Sequence, residues 1–100
     1  MDEKAVRIHL GLLTVDASLV ASFSLKDKRR VVRSLVDSLR SSGALSVAEV
    51  GYQDAHTRTA LAVAHVSCDR RQAERALRRA LETIERRDDL IVNDWAIEWR

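Results

Sequence analysis

The chain has no proline and only three glycines, Gly11, Gly43 and Gly51, among 100 residues. Those absences leave little material for long linkers, low-complexity stretches or a phosphate-cradling glycine loop. Cys68 is the single cysteine, which excludes an internal disulfide and points to a reducing, cytoplasmic setting. Aromatic residues make up only 4%, so a surface built for base stacking has few candidates. Apolar runs are short: Asp16 interrupts the best of them, and none reaches transmembrane length. The opening Met1-Asp2-Glu3-Lys4 has neither the basic start nor the apolar core of an export signal. A dominant charge is missing too, since 17 basic and 15 acidic side chains leave a net +2. Bulk electrostatics therefore selects no partner. What remains, 46% hydrophobic and 32% charged residues, is the composition of one globular domain over residues 1–100.

Hydrophobic periodicity orders that domain. Residues 5–16 alternate, with Val6, Ile8, Leu10 and Leu12 on one side and Arg7, His9 and Gly11 on the other, and read as a strand; Asp16 to Phe23 reads as a loop. Leu25, Val32, Leu35, Val36 and Leu39 repeat at helical spacing over residues 25–42, with Gly43 where a helix C′ residue belongs. Residues 44–52 and 58–67 form two further strands joined by a polar turn from Gln53 to Thr57. Asp69 and Gln72 open a second helix, whose apolar face is Ala73, Ala76, Leu77, Ala80, Leu81 and Ile84. Residues 90–99 close the chain as a strand, with Ile91, Trp95, Ile97 and Trp99 sharing a face as core. The order βαββαβ is that of an α+β, ferredoxin-like fold: a four-stranded antiparallel sheet in order 4-1-3-2 with both helices on one face.

The third strand carries only one polar residue, His65, between Ala60 and Val66. A two-layer domain covers one face of its sheet, so the other face calls for a shield. A homodimer is the simplest shield, and a ligand or RNA groove the alternative.

The densest charge lies at the start of the first helix. Ser24 reads as its N-cap, with Asp27 answering as a shortened capping box. Lys26, Lys28, Arg29, Arg30 and Arg33 crowd the first turns, and residues 24–42 hold six cations against Asp27 and Asp37. Cations at that end oppose the helix dipole, so they predict either an anionic partner or a solvated face. As a binding site, the five would contact the phosphates of RNA or a ribosomal particle. No Phe, Tyr or Trp stands on the first or third strand, which argues against base stacking on the sheet. An acidic protein partner of a homodimeric module is the competing expectation.

Ser24-Leu-Lys-Asp-Lys-Arg-Arg30, Ser46-Val-Ala-Glu-Val-Gly-Tyr-Gln-Asp54 and Leu61-Ala-Val-Ala-His-Val-Ser67 together resemble the bacterial YlxP-like family, domain of unknown function 503. The resemblance covers nearly the whole chain and implies a ferredoxin-like fold. Genes of that family lie in many bacteria among those for transcription elongation, translation initiation and ribosome-binding factors, which implies a role near RNA handling or ribosome maturation. Two positions depart from the family: His56 stands where a tryptophan is common, and His65 where a bulkier aliphatic residue is frequent.

Other candidates read as structural. Glu49, Tyr52 and Asp54 could pair as acid and base, but no nucleophile or cofactor motif accompanies them. The expected role is a polar cluster with Ser24 and Asp27, Glu49 or Asp54 bonding Lys28, Arg29 or Arg58. His9, His56, His65 and Cys68 do not close a metal site by spacing. The second helix pairs its arginines with Glu74, Glu82 and Glu85 as a salt-bridged face. No enzyme signature, cofactor, small-molecule substrate or membrane partner is implied.

Overall fold

The computed structural model describes residues 5–100; the export-signal reading of Met1 to Lys4 lies outside them. The elements are β1 (His9–Leu19), α1 (Leu25–Ser41), β2 (Ser46–Gly51), β3 (Arg58–Ser67), α2 (Arg70–Glu85) and β4 (Leu90–Trp99). The sheet is antiparallel throughout, in order β2-β3-β1-β4, the ferredoxin-like topology. Both helices contribute to one core on one sheet face, where Leu35 and Leu39 of α1 and Leu77, Leu81 and Ile84 of α2 meet Leu13, Val15, Leu61 and Val63.

Three departures from the sequence reading have physical causes. First, β1 is shifted: it begins at His9 and runs to Leu19, through the segment expected to loop. Asp16 and Ser18 are tolerated in it because they sit on the face that no helix covers, while Gly11, Leu13, Val15, Ala17 and Leu19 are buried beneath the helices. The side bearing Leu10 and Leu12 is thus the open one. Second, the β1–β4 register shifts between Asp16 and Ala17, where Asn93 is left over as a bulge. The extra residue reverses parity, so Leu90 and Val92 face the helices before it, and Ile97 after it. Ile91 therefore leaves the face shared by Trp95, Ile97 and Trp99 and is 58% exposed. Third, Asp27 does not close a capping box on Ser24. Ser24 Oγ accepts the Asp27 N–H at 3.0 Å, but the Asp27 carboxylate accepts from the Phe23 N–H one residue earlier.

The two tryptophans pack at the sheet margin rather than in the core. The Arg70 guanidinium lies 4.3 Å from the Trp99 ring centroid and that of Arg78 lies 5.5 Å from Trp95. Trp99 and Leu77 close directly over Gly11, where a Cβ atom would meet Leu77 Cδ1 at 2.6 Å and Trp99 Cζ3 at 2.9 Å. Glycine is required there for space. Gly11→Ala should lower unfolding stability by about 2 kcal/mol through overpacking, measured by urea denaturation. An unchanged midpoint would mean that the Trp99 ring swings free at no cost.

Candidate nucleic-acid interface

Lys26, Arg29, Arg30 and Arg33 are exposed on the first turns of α1, and none has a carboxylate within ion-pair distance among the described residues. Their spacing places them away from the stripe of Leu35 and Leu39 that enters the core. Arg29, Arg33 and Arg40 line a groove of about 280 Å³ between α1 and the β2–β3 hairpin, with Asp37, Glu49 and Gln53. Arg40 is committed to fold, since its guanidinium donates to the Val47 carbonyl at 3.0 Å.

Lys28 has to be withdrawn from the predicted phosphate contacts. Its side chain is 2% exposed. The residue stands four before Val32 and seven before Leu35, so it belongs to the sheet-facing stripe of α1, a signal visible in the spacing. The ammonium donates to the carbonyls of Tyr52 and of Ala55, the latter at 2.7 Å, and lies 3.1 Å from the Glu49 carboxylate. Glu49 also accepts a hydrogen bond from the Thr59 hydroxyl. Tyr52 adopts the left-handed region, φ 57°, and places its carbonyl at this ammonium.

The polar cluster thus divides. Glu49 bonds Lys28, whose ammonium also reaches the Tyr52 carbonyl; Ser24 and Asp27 cap α1 separately; Asp54 is exposed and forms no ion pair among the described residues. A neighbouring set was missed by sequence reasoning because it spans three strands. Arg58 donates both to Asp16 Oδ1 at 3.0 Å and Oδ2 at 2.8 Å, the Tyr52 ring lies under its guanidinium at 4.2 Å, and Asn93 reaches Asp16 from β4. Bonding to Arg58 holds the Asp16 carboxyl below its ordinary range.

One further residue belongs with the cations. Phe23 is 82% exposed immediately before the N-cap. A hydrophobic N′ residue ordinarily packs on the N4 side chain as a staple. Here N4 is Lys28, which is turned inward, and Phe23 is left without that partner. The signal was present in the sequence: the only phenylalanine stands outside every apolar period. A second basic set, Arg71, Arg75 and Arg79 of α2, is also exposed with no carboxylate partner among the described residues, whereas Arg78 and Arg86 pair with Glu74 and Glu82 at 3.6 and 3.7 Å. The histidines do not converge. His65 Nδ1 bonds the Ala44 carbonyl at 2.9 Å, His56 is exposed in the turn, and no group of three metal-ligating side chains occurs among the described residues. No described helix is long and apolar enough to cross a membrane.

Lys28→Met should destabilise the fold by about 3 kcal/mol, because two carbonyls lose this donor and the Glu49 carboxylate loses its cation and keeps only the Thr59 hydroxyl. A denaturation midpoint equal to that of the parent chain would contradict the buried clamp. The Asp16–Arg58 pair gives an acid-side prediction. A depressed carboxyl stabilises the fold above its unfolded pKa of about 4 and loses that contribution as pH falls through the lower folded value. Asp16→Asn should flatten the decline of melting temperature on acidification below about pH 4; an equally steep decline in both chains would exclude this role.

Residues 10–97 match the family described as "Protein of unknown function (DUF503)". The chain is 33% identical over 76 residues to "Uncharacterized protein YlxP" of Bacillus subtilis (strain 168), covering 76% of this chain and 83% of that protein. Among solved structures, the de novo designed protein Foldit4 superposes with a TM-score of 0.50 at 16% identity, over 92% of this chain and 93% of that one. That likeness concerns the fold alone.

Proposed function

The chain belongs to the DUF503 family of proteins of unknown function, and we propose that it is a small, non-enzymatic cytoplasmic factor that binds RNA, including RNA within a ribosomal particle, at the head of α1. The observation that carries this reading is an exposed aromatic ring, Phe23, beside four cations without carboxylate partners, Lys26, Arg29, Arg30 and Arg33. Other cations are held within the fold: Lys28, Arg58 and Arg87 hold carboxylates, and Arg70 covers Trp99. The exposed Phe23 is what distinguishes the α1 set from Arg71, Arg75 and Arg79 of α2, which are also exposed.

The chemistry divides between two kinds of contact. The cations neutralise phosphates and release counterions, with no dependence on sequence. Phe23 offers a flat face to one unpaired base, which favours single-stranded or looped RNA over a duplex. The groove beside Arg29 and Arg33 follows the backbone onward from that base. The open sheet face has no ring on β1 or β3 and takes no part in stacking.

Replacing Lys26, Arg29, Arg30 and Arg33 by alanine should weaken RNA binding and reduce the salt slope, log Kobs against log salt, by about 3. Phe23→Ala should weaken binding by about 1–3 kcal/mol at every salt concentration and leave that slope unchanged. Fluorescence titration with a single-stranded oligonucleotide reads both. Equal affinity and slope in the parent and the fourfold variant would reject this site. Co-purification of a partner that survives nuclease would favour an acidic protein instead.

A further inference from the structure

We infer that the open face of the sheet is the interface of a two-fold dimer, occupied by a second copy of this chain. Register defines the surface row by row. Leu10 lies opposite Val66, Leu12 opposite Ala64, Thr14 opposite Ala62 and Asp16 opposite Ala60. β2 adds Ser46 beside Ala64 and Ala48 beside Ala62, and β4 adds Glu98 beside Leu12 and Ala96 beside Thr14. Alanine dominates β3, leucine and threonine β1. The result is a low floor on one central strand and a ridge on the other. A depression of about 240 Å³ lies over Ala64, flanked by Leu10, Leu12 and Arg100. Ile8 and Val66, 68% and 62% exposed, stand at the same end.

This relief fits itself under one symmetry. A two-fold axis parallel to the strands, between β1 and β3, lays β1 of each copy over β3 of the other. Leu12 then enters the depression over Ala64 of the partner subunit, Leu10 meets Val66 of the partner subunit, and Thr14 lies over Ala62 of the partner subunit. Each contact occurs twice, as an isologous interface requires. The same operator buries no unpaired charge at this end, because Asp16 and Arg58 are already bonded to each other within each copy. An axis perpendicular to the strands would instead set Leu12 over Asp16 and Glu98 over Asp94. Alignment of the two sheets along their strands is also the ordinary geometry of sheet-on-sheet packing.

Area supports a second copy. Four strands at a spacing of about 4.8 Å, over about nine residues at 3.4 Å each, give about 600 Å² per copy. The total of about 1,200 Å² reaches the lower bound of specific stable interfaces and suits micromolar association. The helices remain on the outside, so the dimer presents two cationic α1 surfaces in opposite directions. The dimer does not depend on the RNA reading, and either can fail alone.

The test is molar mass in solution by light scattering and sedimentation of the full chain, from about 1 to 300 µM. The expected result is a shift from 11.3 kDa toward twice that mass. Ala64→Glu fills the depression with a charge and should remain near the monomer mass, while Ser38→Glu on the exposed side of α1 should dimerise like the parent chain. Footprinting of the parent chain with a carbene reagent gives a reading that needs no variant: Leu10, Leu12 and Val66 should become protected as concentration rises. A monomer at all concentrations overturns the inference. So does a dimer that leaves those three residues reactive, as pairing through the β4 edge would, and so does a folded Ala64→Glu chain that still dimerises.

Discussion

The Lys28 ammonium is the point at which helix, hairpin and sheet are tied together. It leaves water at the head of α1, and its donors are taken up by two carbonyls of the β2–β3 turn and by Glu49. A buried cation with one partner removed is costly, so the arrangement holds as a unit or not at all. Its geometric effect is to fix the turn against α1, next to the register shift between Glu49 and Gly51 that interrupts the pairing of β2 with β3. With the hairpin fixed, Tyr52 is positioned to lie under Arg58, and Arg58 to grip Asp16. The same inward turn of Lys28 removes the usual packing partner of Phe23. One buried charge therefore shapes the surface above it.

That surface and the sheet's open face have different physical characters. The helical layer presents long cationic side chains at the head of α1. The open sheet face presents mainly alanine on β3 and leucine and threonine on β1, with Asp16 and Arg58 paired at one end. Apart from the buried pair of Lys28 with Glu49, acid–base pairs lie away from the head of α1: Arg58 with Asp16 at one end of the sheet, Arg87 with Asp89 after α2, and Arg100 with Glu98 at the end of β4. With a net charge of only +2, this pairing leaves two exposed cationic sets among the described residues, one at the head of α1 and one of Arg71, Arg75 and Arg79 on α2. Distribution, rather than total charge, is the informative quantity.

Much of the architecture was readable from period and punctuation. The bounds of β3 and β4 follow from apolar runs bounded by polar turns, and the start of α2 follows from a clear cap at Asp69. β1 was misplaced because polar residues on an uncovered sheet face look like the start of a loop. Ile91 was assigned to the wrong face because a single bulge at Asn93 reverses every later side chain, and a bulge leaves no reliable mark in one sequence. In the candidate site, Lys26, Arg29, Arg30 and Arg33 were legible as a helical cluster. Lys28 shares their residue type but stands on the core stripe of α1, and Phe23 lies in a connecting segment with no periodicity to mark it.

Local properties of the chain were sufficient for element types, their order and the family, since hydrophobic period, caps and turn residues act over a few neighbouring positions. Long-range pairing decided the rest. Which face of β1 meets the helices, which lysine loses its water, and the meeting of Arg58 with Asp16 all depend on segments distant in sequence. Partners at that separation are selected by packing and by the high cost of leaving a buried charge or carbonyl unmatched. Identical side chains in one short stretch consequently end as a buried structural clamp at Lys28 and an exposed cation at Lys26.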